Sequence, residues 1–170
     1  MKVLAAGLII VSSSAAGFLV AGSYIQRVQL LRELIRFLQL LESEIQYART
    51  TLPRLLAAQA PLFSGAVGRF LAALQRGLEA GSGDSFSAIW DRELAILADN
   101  GLPPAVLGDL RSWGAVLGSS DADEQSKQIK LLLARLEQAH TEAEQERAKN
   151  VRLWQYLGFC TGLLLVLLLI

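Results

Sequence analysis

The segment LWQYLGFCTGLLLVLLLI (Leu153–Ile170) is an uninterrupted apolar run without a charged side chain. At a rise of about 1.5 Å per residue, such a segment reaches about 27 Å as a helix, close to the roughly 30 Å hydrocarbon core of a bilayer. A second apolar run, Val3–Tyr24, lies near the other end of the 170-residue chain. The two runs predict an N-terminal transmembrane helix (residues 1–26), a soluble domain (residues 27–152) and a C-terminal transmembrane helix (residues 153–170).

The first apolar run also has features of a secretory signal peptide. A cluster of small residues, Ser12–Gly17, follows the apolar stretch, as it does before many cleavage sites. Apolar character resumes at Phe18, however, and no further charge appears until Arg27. These observations favour an uncleaved anchor, while cleavage remains the alternative.

The basic residues near the two runs predict the orientation. Three lie just after the first run and three just before the second: Arg27, Arg32, Arg36, Arg147, Lys149 and Arg152. Only Lys2 lies on the other side. Because Lys and Arg are enriched on the cytoplasmic side of membrane spans, the soluble domain is expected to face the cytoplasm from the cell membrane.

Small residues at four-residue spacing are candidates for helix packing within the membrane. Gly17 and Ala21 follow this spacing in the first run, and Gly158 and Gly162 follow it in the second. Such faces allow helix backbones to approach closely in lipid. The spacing is compatible with contact between the two spans and with a homo-oligomer.

The middle of the chain has the hydrophobic periodicity of helices throughout. Apolar residues recur at three- and four-residue steps, and no alternating pattern typical of strands is present. The predicted fold is therefore all-α, a helical bundle. The predicted breaks between its helices are Thr50–Pro53, Pro61, Gly81–Asp84, Asn100–Pro104 and Gly118–Asp121. Asp84 or Ser85 is expected to cap one helix, and the last helix is expected to begin near Ala122 and to continue into the second apolar run.

Composition argues against an enzyme and against a nucleic-acid-binding protein. Excluding Lys2, 15 basic and 16 acidic side chains balance each other, so no basic stripe is present. Cys160 and His140 are the only residues of their types, which excludes an intrachain disulfide and a Cys/His metal cluster. Glu42 and Glu44 are two residues apart and point to different sides of a helix, which makes a poor acid–base pair. We expect no catalytic residue, no cofactor and no metal site.

Two stretches resemble a known family. The first extends from Leu30 to Pro53 and contains the string Leu-Glu-x-Glu-Ile-x-Tyr at Leu41–Tyr47. The second extends from Gln128 to Val166. Together with the layout of two apolar runs, they resemble the stage III sporulation protein AB family of endospore-forming bacteria. The resemblance covers almost the whole chain, although residues 63–119 match in helical character alone.

The resemblance implies a non-enzymatic assembly component in the mother-cell membrane that surrounds the forespore. The family is associated with a secretion-like channel complex between the two cells. Its soluble part is similar to the cytoplasmic helical domains of type II secretion and type IV pilus platform proteins. The partners implied are other stage III sporulation A-type membrane proteins, a secretion-type ATPase and the lipid bilayer.

The shared string gives a candidate partner interface, formed by Glu42, Glu44, Tyr47 and Arg49. The alternative for these residues is a structural role, with salt links inside the bundle. A functional alternative for the whole chain is a membrane-anchored helical module that binds a small ligand or lipid. A pocket lined by Phe86, Trp90 and Trp113 would favour that alternative.

Overall fold

The structure is a computed structural model that describes residues 2–44, 52–81, 83–117 and 122–169. Within these ranges, the side chains of residues 2–14, 16, 17, 52, 122–124, 155, 158, 159 and 162–169 lie outside the description. The described residues form helices and contain no strand, which confirms the all-α prediction. The elements are α1 (Lys2–Ser43), α2 (Leu52–Gln59), a 3₁₀ turn (Ala60–Leu62), α3 (Gly65–Glu79), α4 (Phe86–Asp99), α5 (Pro104–Val116) and α6 (Ala122–Leu169).

The transmembrane prediction gains no support from the described residues. Among them, no helix is both long enough and apolar enough to cross a membrane. The two predicted spans, residues 1–26 and 153–170, have most of their apolar side chains outside the description.

The chain divides into two compact units. The terminal unit consists of Met1–Val28 and Thr141–Ile170, and the central unit consists of Gln29–His140. In the terminal unit, Ala21, Val28 and Ala143 are buried. There Arg27 donates a hydrogen bond from Nη1 to Oε2 of Glu146 over 2.9 Å, which connects α1 to α6.

The core of the central unit follows the periodicity seen in the sequence. In α1 the buried positions recur every three or four residues, so one continuous stripe of the helix faces the core. α3, α4, α5 and α6 add stripes of the same kind. The most completely buried side chains include Leu31, Leu34, Phe37, Leu38, Leu41, Leu56, Phe70, Leu71, Leu74, Ile89, Trp90 and Leu94.

Local chemistry sets the ends of α4. At its start, Ser85 Oγ accepts a hydrogen bond from the backbone N–H of Ala88 over 3.3 Å, which satisfies a free donor of the first turn. At its end, Gly101 has a φ of 89°, a conformation that glycine adopts without steric cost. The N–H of Leu102 then donates to the carbonyl of Leu97. The predicted cap at Ser85, the predicted stop at Asn100–Gly101 and the predicted start of α6 at Ala122 are thus confirmed.

Trp90 fixes the distance between α4 and α5. Its side chain is 1% exposed, and its Nε1 donates to the carbonyl oxygen of Leu110 over 2.9 Å. The indole lies directly against the backbone of Gly114, where an added Cβ would be 2.1 Å from Cδ1 of Trp90. The two helices therefore pack this closely because residue 114 has no side chain.

We expect Gly114→Ala to destabilise the protein by about 1–3 kcal/mol, because the new methyl group forces Trp90 out of its position. Gly108→Ala in the same helix is the matched control, since a Cβ there meets nothing within 4 Å. That substitution should instead raise the free energy of unfolding by about 0.5–1 kcal/mol through helix propensity. Guanidinium titrations followed by circular dichroism measure both changes, and equal effects of the two substitutions would contradict the packing argument.

Candidate interaction surface

The structure describes two of the four residues in the predicted partner interface. Glu42 lies in the last turn of α1, and its Oε1 is 3.7 Å from Nζ of Lys130 on α6. Glu44 follows directly after α1 and is half-buried. Tyr47 and Arg49 lie outside the described residues. The surroundings of the predicted interface are therefore described at Glu42 and Glu44 alone.

The two glutamates have different surroundings. The carboxylate of Glu42 lies near the ammonium group of Lys130, a contact within the central unit. For Glu44, no ion pair with another described residue is present, and the residue is partly exposed. Glu44 is thus the better candidate for contact with a partner.

The Glu42–Lys130 ion pair should contribute little to stability. The side chain of Lys130 is 62% exposed and that of Glu42 is 19% exposed, so water screens the attraction. We expect Glu42→Gln and Lys130→Gln each to lower the free energy of unfolding by at most about 1 kcal/mol. A double-mutant cycle by chemical denaturation isolates the pair, and a coupling of several kcal/mol would show that this ion pair supports the fold.

Of the four residues predicted to pack helices in the membrane, the structure describes the surroundings of one, Ala21. Ala21 is 2% exposed, so α1 makes a close contact at this small side chain. The surroundings of Gly17, Gly158 and Gly162 lie outside the description. Packing through these glycines stays a prediction.

The aromatic residues that could have lined a ligand pocket contact one another instead. The ring of Trp90 lies 5.2 Å from that of Trp113, 5.7 Å from that of Phe86 and 5.1 Å from that of Phe70, measured between centroids. The contacts with Trp113 and Phe70 are edge-to-face, a favourable geometry for aromatic pairs. These rings occupy the space that a pocket between them would need.

A groove between α5 and α6 is a surface that the sequence did not predict. It encloses about 270 Å³ and is lined by Asp109, Ser112, Trp113, Val116, Gln128, Leu131, Leu132 and Arg135. Asp109 and Arg135 form an ion pair between the two helices. Leu131 is 68% exposed. The available signal was the position of Leu131, which lies outside the buried stripe formed by Ile129, Leu132, Leu133 and Leu136.

A second accessible apolar surface belongs to the terminal unit. It comprises the exposed residues Phe18, Leu19, Leu153, Trp154, Tyr156 and Leu157, which we call the terminal apolar surface. Neighbouring residues in a helix point about 100° apart, so adjacent exposed pairs such as Phe18 and Leu19 cover more than one side. Exposed apolar side chains of this size make the terminal apolar surface a candidate for contact.

Several charged side chains of the described residues form surface ion pairs. Hydrogen bonds to Glu93 and then to Asp84 raise the pKa of Arg92, whose charge is therefore maintained. Among the described residues, no three His, Cys, Asp or Glu side chains come together as metal ligands. The features of the described residues that could take part in binding are therefore the α5–α6 groove and the terminal apolar surface.

Comparisons with known proteins agree with this arrangement and identify relatives. The family model for stage III sporulation protein AB matches residues 2–170. Stage III sporulation protein AB of Bacillus subtilis (strain 168) is 36% identical over 170 residues, with 99% of each chain covered. A solved structure of stage III sporulation protein AB (SpoIIIAB) superposes with a TM-score of 0.66 at 32% identity, covering 73% of this chain and 98% of that chain.

Proposed function

Because the chain belongs to the stage III sporulation protein AB family, we propose that it acts in sporulation as a non-enzymatic, membrane-anchored assembly component. It would serve a secretion-like channel complex between mother cell and forespore and couple that complex to a cytoplasmic ATPase. Family membership supports the role in sporulation. The finer role is supported by the accessible contact surfaces of a small helical protein.

The terminal apolar surface is the observation on which the membrane anchor depends. Its exposed side chains include Trp154 and Tyr156, and such amphipathic rings are enriched at the boundary between lipid and water. They lie two and four positions after Arg152, the last charged residue before the apolar run. We therefore propose attachment to the mother-cell membrane around the forespore, with the central unit in the cytoplasm.

We expect the full-length chain to sediment with membrane vesicles and to resist extraction at alkaline pH. A chain restricted to residues 27–152 should be released, because it lacks both apolar runs. Chains 1–152 and 27–170 are the matched controls, and each should stay with the vesicles through its remaining run. Release of the full-length chain into a detergent-free supernatant would contradict the membrane anchor.

Glu44 is the residue through which the partner interface can be tested. A carboxylate at a protein interface is sensitive to charge reversal, since like charges brought together weaken association. Glu33 provides a matched control, because it is also half-buried and lies in α1, the helix that Glu44 directly follows.

We expect Glu44→Lys to reduce co-purification of the secretion-type ATPase with the full-length chain at least about tenfold, which corresponds to about 1.4 kcal/mol. Glu33→Lys should retain the ATPase. Helical circular dichroism spectra must be unchanged for both variants. Equal retention of the ATPase by the two variants would remove Glu44 from the interface.

A further inference from the structure

The charges of α6 follow a definite order where the helix approaches its apolar run. Three acidic residues precede three basic residues in this part of the helix: Glu142, Glu144, Glu146, Arg147, Lys149 and Arg152. At a rise of about 1.5 Å per residue, the three basic residues lie within about 9 Å of Leu153, the first residue of the apolar run. All three are exposed. The charged part of α6 is therefore positive at the end that adjoins the apolar run.

The glutamates nearby do not neutralise this end of the helix. Glu146 accepts a hydrogen bond from Arg27 of α1 over 2.9 Å, so its charge already has a partner. Glu144 precedes Arg152 by about 12 Å along the helix, which exceeds the Debye length of about 8 Å at physiological ionic strength. Within the described residues, neither Lys149 nor Arg152 forms an ion pair. Both side chains can therefore pair with an anion from outside the chain.

Lys149, Arg152 and Tyr156 lie on one side of α6. They are three and four residues apart, the spacing at which side chains of a helix are neighbours. The two basic residues are exposed, and Tyr156 is 69% exposed. At about 100° per residue, Arg152 points about 180° away from Ala143, which is buried. These three residues, which we call the basic face of α6, therefore lie opposite the side that the helix buries.

The chemistry of this face matches a phosphate group. Lys and Arg side chains donate charge-assisted hydrogen bonds to phosphate oxygens, and a tyrosine hydroxyl supplies a further donor. The exposed apolar residues Leu153 and Leu157 lie at the same level of the helix. A lipid places its phosphate next to its own apolar chains, so its headgroup and its tails fit this arrangement together. The carboxylate of a soluble protein has no such apolar neighbour attached to it.

We propose that the basic face of α6 binds the headgroup of an anionic phospholipid, with Lys149 and Arg152 at the phosphate oxygens and Tyr156 beside them. A zwitterionic headgroup carries a cation of its own, which these side chains repel, so the site selects lipids by net charge. This inference rests on the membrane anchor of the proposed function. It adds to that anchor the class of lipid that α6 selects.

Fluorescence quenching by labelled lipids tests the selectivity in the full-length chain. Trp154→Phe combined with Tyr156→Trp places the reporter ring on the basic face and keeps a hydrogen-bond donor there. Trp90 and Trp113 are 1% and 4% exposed and contribute a background, which a chain with Trp154→Phe as its single substitution measures. The protein is reconstituted into vesicles of phosphatidylcholine and phosphatidylglycerol in equal amounts, with bromine on the acyl chains of one lipid or of the other.

We expect phosphatidylglycerol to occupy the lipid position beside the reporter at least about threefold more often than phosphatidylcholine, because each Lys or Arg near the membrane surface attracts anionic lipid. Lys149→Gln or Arg152→Gln should remove most of this preference. Arg147→Gln is the matched control, since it removes the same charge from the same segment but points only about 40° away from Ala143. The control should retain the preference.

Three other results would overturn the proposal. Equal quenching by the two brominated lipids would leave the membrane anchor intact and exclude a lipid-selective site, so that an acidic protein would be the partner to seek for this face. An equal loss of preference in all three glutamine variants would show that total charge is sensed and that no defined face is involved. The absence of quenching by either lipid would contradict the membrane anchor as well, which distinguishes that failure from the other two.

Discussion

The packing of α5 depends on the contact between Trp90 and Gly114. The indole fills the space that any side chain at position 114 would occupy, and its N–H satisfies the carbonyl of Leu110 on the same helix. A buried indole needs such an acceptor, because an unsatisfied N–H in the core is costly. Trp90 of α4 thus sets both the distance of α5 from α4 and the position of α5 along its own axis. The surfaces that α5 forms depend on this position.

The groove between α5 and α6 is a consequence of this placement. Trp113 precedes Gly114, contacts Trp90 with its ring and also lines the groove. On the opposite wall, Leu132 is buried whereas Leu131 is exposed, because successive residues of a helix point about 100° apart. The ion pair between Asp109 and Arg135 connects the walls, so the groove combines an apolar lining with a charged edge. Packing inside the bundle and the shape of its surface are therefore coupled through Trp113.

The sequence predicted the helices well because their signals are local. A serine at a helix start and an Asn-Gly pair at a helix end act within one turn, and both were placed correctly at α4. The groove was not predictable in this way. It depends on how α5 and α6 face each other, and no local pattern within either helix specifies that. The same is true of Glu42, whose contact with Lys130 joins residues 88 positions apart. Periodicity identifies which side of a helix is buried but not which helix covers it.

The distribution of exposed apolar residues separates two kinds of contact. Isolated exposed leucines are common on proteins in water, so Leu62 and Leu131 indicate no partner by their exposure alone. The terminal apolar surface is different, because four of its six residues lie within Leu153–Leu157 and include two aromatic rings. A helix with apolar residues exposed on several sides cannot bury all of them against one neighbouring helix. The exposed apolar residues of the central unit are therefore isolated, whereas those of the terminal unit are concentrated in one short stretch of α6.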